Sequence, residues 1–265
     1  MVAETDESVV DVDFTEDPNY VGGDLGAPLC GDFKEFADEE EVYTREQIEA
    51  KVREQEASGG TLDELVKEIK DQGREGSCVG NAITQAIQVL LAKQFGKAWA
   101  TILSAISIYK QIGRSASSGA MVSDAMDAVR DVGIVPLDND ENREKYDHVM
   151  PPRGFSTPFP SGWKETAAKF KGFEFLVIRN VLQLLTALLK GYPVVVGRQG
   201  HSNCYLRVMF RNGRLVVKYA NSWTPDWGDG GFGYDTEQQF KMSATWAFAV
   251  KAVVTDADDD RKAAA

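Results

Sequence analysis

The stretch DQGREGSCVGN, residues 71–81, places a cysteine where a glycine-rich turn meets an apolar segment. From Cys78 onward the sequence reads CVGNAITQAIQVLLAKQF, with apolar residues spaced three and four apart. This spacing predicts a helix over Cys78–Phe95 with a broad buried face, ended by Gly96. A cysteine in the first turn of a helix lies near unpaired backbone N–H groups, which lower its pKa. Cys78 is therefore a candidate nucleophile, and the competing interpretation is a small buried side chain.

Composition and charge narrow the class of protein. With 265 residues, 43% of them hydrophobic, the chain is expected to fold as one globular domain, with two lobes and an appendage. A net charge of -12 makes nucleic acids and anionic membranes poor partners, so a basic or neutral polypeptide is the expected one. No stretch is long and apolar enough to span a bilayer, and the acidic start MVAETDESVV is unlike a secretory signal. We expect a cytoplasmic protein, or one packaged into a particle assembled in the cytoplasm.

Cysteine and histidine are both scarce in this chain. The three cysteines, Cys30, Cys78 and Cys204, are too scattered for a disulfide framework or a spaced zinc site. We therefore expect a reducing compartment, and we expect neither a metal nor a cofactor. The two histidines, His148 and His201, are the only candidates for an imidazole base. His148 lies in a proline-rich stretch that predicts a loop, which leaves His201.

The order of elements predicts an α+β chain. Residues 1–60 are interpreted as an acidic N-terminal arm followed by a solvated helix over about 38–57, residues 61–255 as the main domain, and residues 256–265 as an acidic tail. Helices are predicted near 104–112, 123–132 and 180–189, with a surface loop over 138–160. Strands are predicted in YPVVVGR, CYLRVMF, RLVVKYA and TWAFAVKAVV, the middle pair joined by a hairpin at Arg211–Arg214. Helices first and an antiparallel sheet afterwards indicate two lobes, with the site in the cleft between them.

A thiol that attacks a carbonyl needs a base, and the base needs a residue that orients it. His201 follows Gly200 at the start of a strand, from which it could reach across the cleft to Cys78. Asn221, in the segment NSW, ends a neighbouring strand, where its side chain could accept the imidazole N–H and fix the tautomer. Trp223 could shield that hydrogen bond from water.

The same reaction needs hydrogen-bond donors for the oxyanion that forms on the substrate. Gln72 lies six residues before Cys78 and is a neutral donor that a tight turn could bring alongside the thiol. The backbone N–H of Cys78 is a second candidate donor. The neighbouring glycines would let the backbone of a substrate approach closely.

These residues resemble the papain-like cysteine peptidases. The resemblance lies in the order Gln, Cys, His, Asn, carried by DQGREGSC, by GH at a strand start and by NSW followed by DWGDGGFGYD. VKEIKDQG and LSAISIY also resemble segments of that family, and the match spans about residues 64–250. The resemblance implies a papain-like two-lobed fold with Cys78 as nucleophile, His201 as base and acid, Asn221 as orienting residue and Gln72 as oxyanion donor. The residues that it implies for substrate contact are Gly76, Ser118, Gly119, Gly200 and Trp223.

The departures from the family pattern concern specificity more than chemistry. Secreted members have a cysteine where Glu75 stands, bonded to one whose counterpart here is Ala116, and the joint loss fits a reducing compartment. Val79 replaces the usual aromatic residue after the nucleophile, and Ser202-Asn203 replaces small apolar residues after the histidine. The long helical propeptide of the secreted enzymes has no match.

Two functions of different classes remain open from the sequence. The first is a thiol peptidase that cleaves peptide bonds through an acyl-enzyme. The second is a catalytically weak or inactive papain-like scaffold that binds a protein partner through its N-terminal arm in a bacterial or viral assembly. A third hypothesis joins them: residues 1–60 could lie over the cleft as a pro-segment that inhibits the enzyme.

Overall fold

The structure is a computed structural model that describes residues 33–98, 101–138, 140–146, 154–198 and 200–251. The acidic arm up to residue 32, Cys30, His148 and the acidic tail lie outside the described residues.

Helices are spread over the described chain, and several match the predicted ranges. They are α1 (Phe36–Glu39), α2 (Arg45–Ser58), α3 (Cys78–Phe95), α4 (Ala105–Ile112), α5 (Val122–Asp131), α6 (Asp140–Tyr146), α7 (Trp163–Ala167), α8 (Val181–Leu189) and α9 (Glu237–Ser243). The predicted bounds of α3 are confirmed, and those of α4, α5 and α8 are confirmed within one residue. The predicted helix over 38–57 begins later, at Arg45, because Thr44 and Gln47 form a capping box there.

The strands form one sheet in the second half of the chain, apart from a short N-terminal strand. They are β1 (Lys34–Glu35), β2 (Glu174–Val177), β3 (Val194–Arg198), β4 (His201–Arg211), β5 (Arg214–Ala220), β6 (Phe232–Thr236) and β7 (Ala244–Lys251). Within the described ranges the sheet order is β1-β2-β7-β3-β4-β5-β6, antiparallel throughout except for the parallel pair β1 and β2. Asn212 and Gly213, both with positive φ, form the predicted hairpin turn between β4 and β5.

Helix α3 lies between the two lobes. Its residues 78–92 are all buried, as expected for a helix that is covered on every side. On one side α3 packs against α4, and α5 packs against both of them, which makes the helical lobe. On the other side α3 packs against β3 and β4 of the sheet lobe. The first residue of α3, Cys78, therefore lies at the boundary of the two lobes.

The N-terminal helix α2 is fixed to the sheet lobe. Its Ile48 and Val52 are fully buried in the main hydrophobic cluster, while the rest of its surface is mostly exposed. Arg45 at its start forms a two-pronged ion pair with Glu237 of α9. At its end, Glu56 accepts a hydrogen bond of 2.8 Å from the backbone of Phe210, at the end of β4 far from His201. Residues 45–58 thus pack along the sheet lobe and reach the far end of β4.

Several elements were not predicted, and α6 and β6 show why. The region 138–160, predicted as a surface loop, contains α6, which forms because Tyr146 is buried in a cluster with Ile102 and Val135. Strand β6 was not predicted, since the residues that it buries are Gly233 and Asp235, and it is held by pairing with β5 and by the contacts of its buried Asp235. Both elements depend on tertiary contacts that the local pattern does not encode.

Candidate active site

The side chain of Asn221 determines which nitrogen of His201 carries the proton. Asn221 Oδ1 lies 2.7 Å from His201 Nε2, 3.0 Å from Asn203 Nδ2 and 2.8 Å from the backbone nitrogen of Ser222. A backbone N–H can only donate, so the atom of Asn221 that faces Ser222 is the oxygen. An oxygen in that place accepts from His201 Nε2, which therefore bears the hydrogen in the neutral ring. Nδ1 is left as the basic nitrogen, and it has no hydrogen-bond partner among the described residues.

The His201 ring is shielded from water. Trp223 covers it with a ring-centroid distance of 4.5 Å, and only 4% of His201 is exposed. Burial lowers the pKa of His201 to about 4; the hydrogen bond to Asn221 acts in the opposite direction and the charge of Arg198 lowers the pKa further. The imidazole is accordingly neutral near pH 7 and able to accept a proton.

The turn that carries Gln72 is bound to the loop that carries Asn221. The backbone N–H of Gln72 donates to the Ser222 carbonyl at 2.9 Å, and Ser222 Oγ donates to Gln72 Oε1 at 2.6 Å. Asp71 and Trp223 form an isolated antiparallel bridge beside them. Gln72 Nε2 also donates to the carbonyl of Glu75 at 2.8 Å, within the turn that leads to Cys78. Segments 150 residues apart in the chain are thus joined at the site.

Cys78 begins α3 and is fully buried. Strand β4, against which α3 packs, begins at His201. A cavity of about 10 Å³ separates the first turns of α3 from the loop after β5, and it is lined by Asn81 and Gln85 on one side and Asn221 on the other. The start of α3 therefore faces the Asn221 loop across a narrow polar gap. In this closed arrangement the thiol cannot be reached from solvent.

The predicted substrate-contact residues lie in two groups. In the first, Gly76 and Gly119 are in backbone contact: a Cβ on Gly76 would lie 2.8 Å from the Gly119 nitrogen. Gly119 N–H donates to the Tyr109 hydroxyl at 3.2 Å, and Ser118 Oγ accepts within its own turn, from the backbone of Arg114 at 2.9 Å. In the second group, Gly200 with positive φ precedes His201, and Trp223 covers the imidazole.

Glu75, at the position where the resemblance implies a cysteine in secreted enzymes, makes polar contacts in this chain. The Gly76 N–H donates to the Ala116 carbonyl at 2.7 Å, so the two positions that a disulfide would join are neighbours. The buried Glu75 carboxylate instead accepts a hydrogen bond of 2.7 Å from the backbone of Phe155. Lys110 of α4 donates to the carbonyls of Phe155 and Thr157. Glu75 and Lys110, which we call the brace, thus hold segment 154–157 against α4.

Sequence reasoning missed a buried ion pair between Arg198 and Asp235, close to His201. Arg198 is 6% exposed and Asp235 is 2% exposed. In the sequence, the two charges are visible as Arg198 at the end of the apolar strand YPVVVGR and Asp235 inside FGYDT. The sequence alone does not show that these strands bring the two charges together.

The described ranges contain neither a metal-binding cluster nor a membrane-spanning helix. No cluster of three or more His, Cys, Asp or Glu side chains there could hold a metal ion. None of the helices described above has the length and apolarity to cross a bilayer.

Comparison with known proteins identifies the fold. No protein-family model and no curated protein matches the chain. Among solved structures, xylellain, a cysteine protease from Xylella fastidiosa, matches with a TM-score of 0.56 and 19% identity over 71% of this chain and 83% of xylellain. Digestive procathepsin L 3 from the larval midgut of Tenebrio molitor matches with a TM-score of 0.57 and 19% identity over 71% of this chain and 67% of the procathepsin. The proform of the ragweed pollen cysteine protease Amb a 11 matches with a TM-score of 0.57 and 18% identity over 72% of this chain and 63% of its own. The chain therefore has the α+β, two-lobed papain-like fold that these cysteine proteases share.

Proposed function

We propose that the chain is a thiol peptidase that uses Cys78, His201 and Asn221. The observation that carries the proposal is the hydrogen bond from His201 Nε2 to Asn221 Oδ1, which leaves Nδ1 as the base. The position of Cys78 in the first turn of α3 supports its role as nucleophile, because the helix N-terminus stabilises a thiolate.

The proposed reaction has two halves. His201 Nδ1 takes the proton of Cys78, the thiolate attacks the carbonyl carbon of a peptide bond, and the proton passes to the leaving amine. Water, activated by His201, then hydrolyses the acyl-enzyme and restores the thiol. The oxyanion of each half is bound by the Cys78 backbone N–H and by Gln72. An amide group has two N–H donors, so Gln72 can bind the oxyanion while keeping its hydrogen bond to Glu75.

The proposed substrate is a polypeptide of neutral or basic character. The fold neighbours are proteases, and the net charge of -12 favours the approach of a cationic chain. Gly76 and Gly119 are the proposed contacts for the backbone of an extended substrate, and because both are buried here the site must open before a substrate can reach them. We place this activity in the cytoplasm, or in a particle assembled there, on the grounds of cysteine content and acidic sequence.

Complete burial of the site favours a second candidate function. Cys78 has no exposed surface, and His201 and Asn221 have 4% and 3%. A peptidase of this geometry must open before substrate can enter, whereas a scaffold that binds a partner through its N-terminal arm has no such requirement. The two candidates therefore differ in whether the thiol is reached and activated in the native protein.

Selective alkylation distinguishes them. The full native chain is treated briefly with an epoxide inhibitor of papain-like enzymes, and intact mass and peptide mapping locate the adduct. We expect labelling at Cys78 and none at Cys204, which is fully buried and whose pKa is raised by that burial. His201→Ala should abolish the labelling, while His148→Ala, the matched control, should retain it.

Three outcomes would contradict the peptidase. They are equal labelling of Cys78 and Cys204, labelling of Cys78 undiminished in His201→Ala, and no labelling of a folded chain after prolonged exposure. The last outcome, together with a stable protein partner that a Cys78→Ala variant binds equally well, would support the scaffold.

A further inference from the structure

A buried cation lies beside the proposed base. In the antiparallel pairing of β3 and β4, Arg198 is directly opposite His201. Side chains at directly opposite positions project from the same face of a sheet, with Cβ atoms about 5 Å apart. Only 6% of Arg198 is exposed, so its charge is weakly screened by water. The imidazole therefore has a buried cation as its neighbour on the adjacent strand.

The guanidinium of Arg198 is held from several directions. It forms a buried ion pair with Asp235 of β6, and Tyr205 accepts a hydrogen bond from Arg198 and donates one to Asp235. The guanidinium carbon also lies 4.9 Å from the centre of the Tyr219 ring. Tyr205 and Tyr219 are themselves paired across β4 and β5 and stack with centroids 5.1 Å apart. The guanidinium cannot move without breaking this network.

Fold stability alone does not account for this ion pair. Removing two charges from water costs several kcal/mol, and buried ion pairs can often be replaced by apolar residues with no loss of stability. The pair is also asymmetric with respect to the base. Asp235 reaches the guanidinium from β6, two strands from β4, whereas Arg198 is the cross-strand partner of His201 on the adjacent strand. The charge of Arg198 accordingly lowers the pKa of His201 although Asp235 is paired with it.

We propose that Arg198 is a positioning residue that keeps His201 in its uncharged form, and that Asp235 holds the guanidinium in place and limits its effect. Other groups near the ring are Asn221 and Trp223 from the loop after β5 and, on the proposed function, Cys78 at the start of α3. Burial, the largest influence on the ring, acts in the same direction as Arg198, and Asn221 acts against them.

The consequence for catalysis rests on the proposed function. An imidazolium formed beside Arg198 is a stronger acid than an ordinary one, because the neighbouring charge repels its proton. The proton that Cys78 gives to Nδ1 is then transferred readily to the nitrogen of the leaving amine. In the order of steps proposed above, the sulfur is already bound to the acyl carbon at this stage, so the proton cannot return to a free thiolate. Arg198 would thus favour expulsion of the amine.

Nuclear magnetic resonance of the histidine rings tests the proposal directly. The chain has two histidines, so His148→Gln assigns the spectrum. In Arg198→Gln, which removes the cation and retains a hydrogen-bonding group, we expect the pKa of His201 to rise by about one unit. In Asp235→Asn the cation is left without its counter-charge, and His201 should stay neutral to a lower pH than in the unmodified chain. The double variant Arg198→Gln, Asp235→Asn should show a smaller rise than Arg198→Gln.

The matched control is Arg207→Gln. Arg207 lies on β4 and pairs with Asp63 at 3.6 Å. The variant therefore also removes a cation that has a carboxylate partner, but it should leave the pKa of His201 unchanged. The double variant buries no unpaired charge and should fold even where a single variant does not. The pKa of His201 can then still be compared with that of the unmodified chain. A fall or no change in the pKa of His201 in the double variant would overturn the proposal, as would an equal rise in Arg207→Gln.

The titration of His201 can be measured in a chain without activity, so the proposal for Arg198 and the proposed peptidase function are tested independently. If the expected order of pKa values is found but no variant or parent chain reacts at Cys78, the charge pair stands and the peptidase fails. If Cys78 is selectively alkylated but the order is absent, the peptidase stands and Arg198 has no influence on the base.

Discussion

At the scale of single residues, the oxygen and the nitrogen of the Gln72 side-chain amide make different contacts. Its Oε1 accepts from Ser222 and holds the turn to the Asn221 loop, while its Nε2 is the proposed oxyanion donor. A variant that removes the side chain therefore tests the donor, provided that the turn keeps its backbone bond to Ser222.

We expect Gln72→Ala to lower kcat by about 10²–10³ and to change KM little, because the oxyanion forms only in the transition state. Steady-state kinetics on a peptide substrate would measure this. Gln111→Ala is the control, since Gln111 is a half-buried glutamine whose Nε2 donates to a backbone carbonyl in α4. A rise in KM with unchanged kcat would show instead that Gln72 binds ground-state substrate.

At the scale of elements, the brace shows how a loop can be fastened without a disulfide. Glu75 receives the Phe155 N–H, and burial raises its pKa although that hydrogen bond and Lys110 act in the opposite direction. A carboxyl whose pKa is raised by folding stabilises the fold most when it is protonated, and this contribution is lost as the pH rises through the folded-state pKa. At neutral pH the charge of Glu75 thus costs stability while its oxygen contributes a hydrogen bond.

This reasoning gives opposite expectations for two substitutions. Glu75→Gln keeps an acceptor for Phe155 without the buried charge, so at pH 7.5 it should be at least as stable as the parent chain. Glu75→Ala leaves the Phe155 N–H without its partner and should cost about 1–3 kcal/mol, lowering Tm by about 2–4 °C for each kcal/mol. Thermal unfolding at pH 7.5 and at pH 4 would compare them. A Glu75→Gln variant that unfolds as early as Glu75→Ala would show that the charge itself is what holds the segment.

The elements also show what the sequence could predict. Helix α3 was predicted at its observed bounds, because an apolar run ends at Gly96 and starts at a turn rich in glycine. Strand β6 and helix α9 were not predicted; β6 depends on its pairing with β5, and α9 begins at the capping box of Thr236 and Gln239. For the site, the order of motifs predicted that Asn221 lies beside His201, and the two side chains are 2.7 Å apart. The partner of Arg198 could not be predicted, because it depends on the register of strands far apart in sequence.

At the scale of the whole molecule, the buried imidazole links folding to pH. The pKa of His201 falls from 6.5 to about 4 on folding, so between these values the unfolded chain binds more protons than the folded one. The contribution of the uncharged His201 to the free energy of unfolding is fully present above pH 6.5 and is lost as the pH falls toward 4. A difference of this size corresponds to about 3 kcal/mol at most.

We therefore expect the free energy of unfolding to decline between pH 6.5 and 4 in the parent chain and to decline less in His201→Gln. Urea unfolding at several pH values in this range would measure both slopes. His148→Gln serves as the control and should retain the parent slope. Parallel slopes in all three proteins would mean that His201 titrates normally, and hence that its ring is open to water in solution.

The sealing of Cys78 at the lobe boundary also bears on how long the protein keeps its chemistry. Peroxide and other oxidants attack cysteines that are both ionised and exposed, and the first product, a sulfenic acid, is no longer a nucleophile toward a peptide. With no surface of Cys78 in contact with solvent, the closed form protects the sulfur from this damage. On the proposed function, each opening that admits a substrate would also admit an oxidant, so the working lifetime of the thiol would depend on how often the site opens.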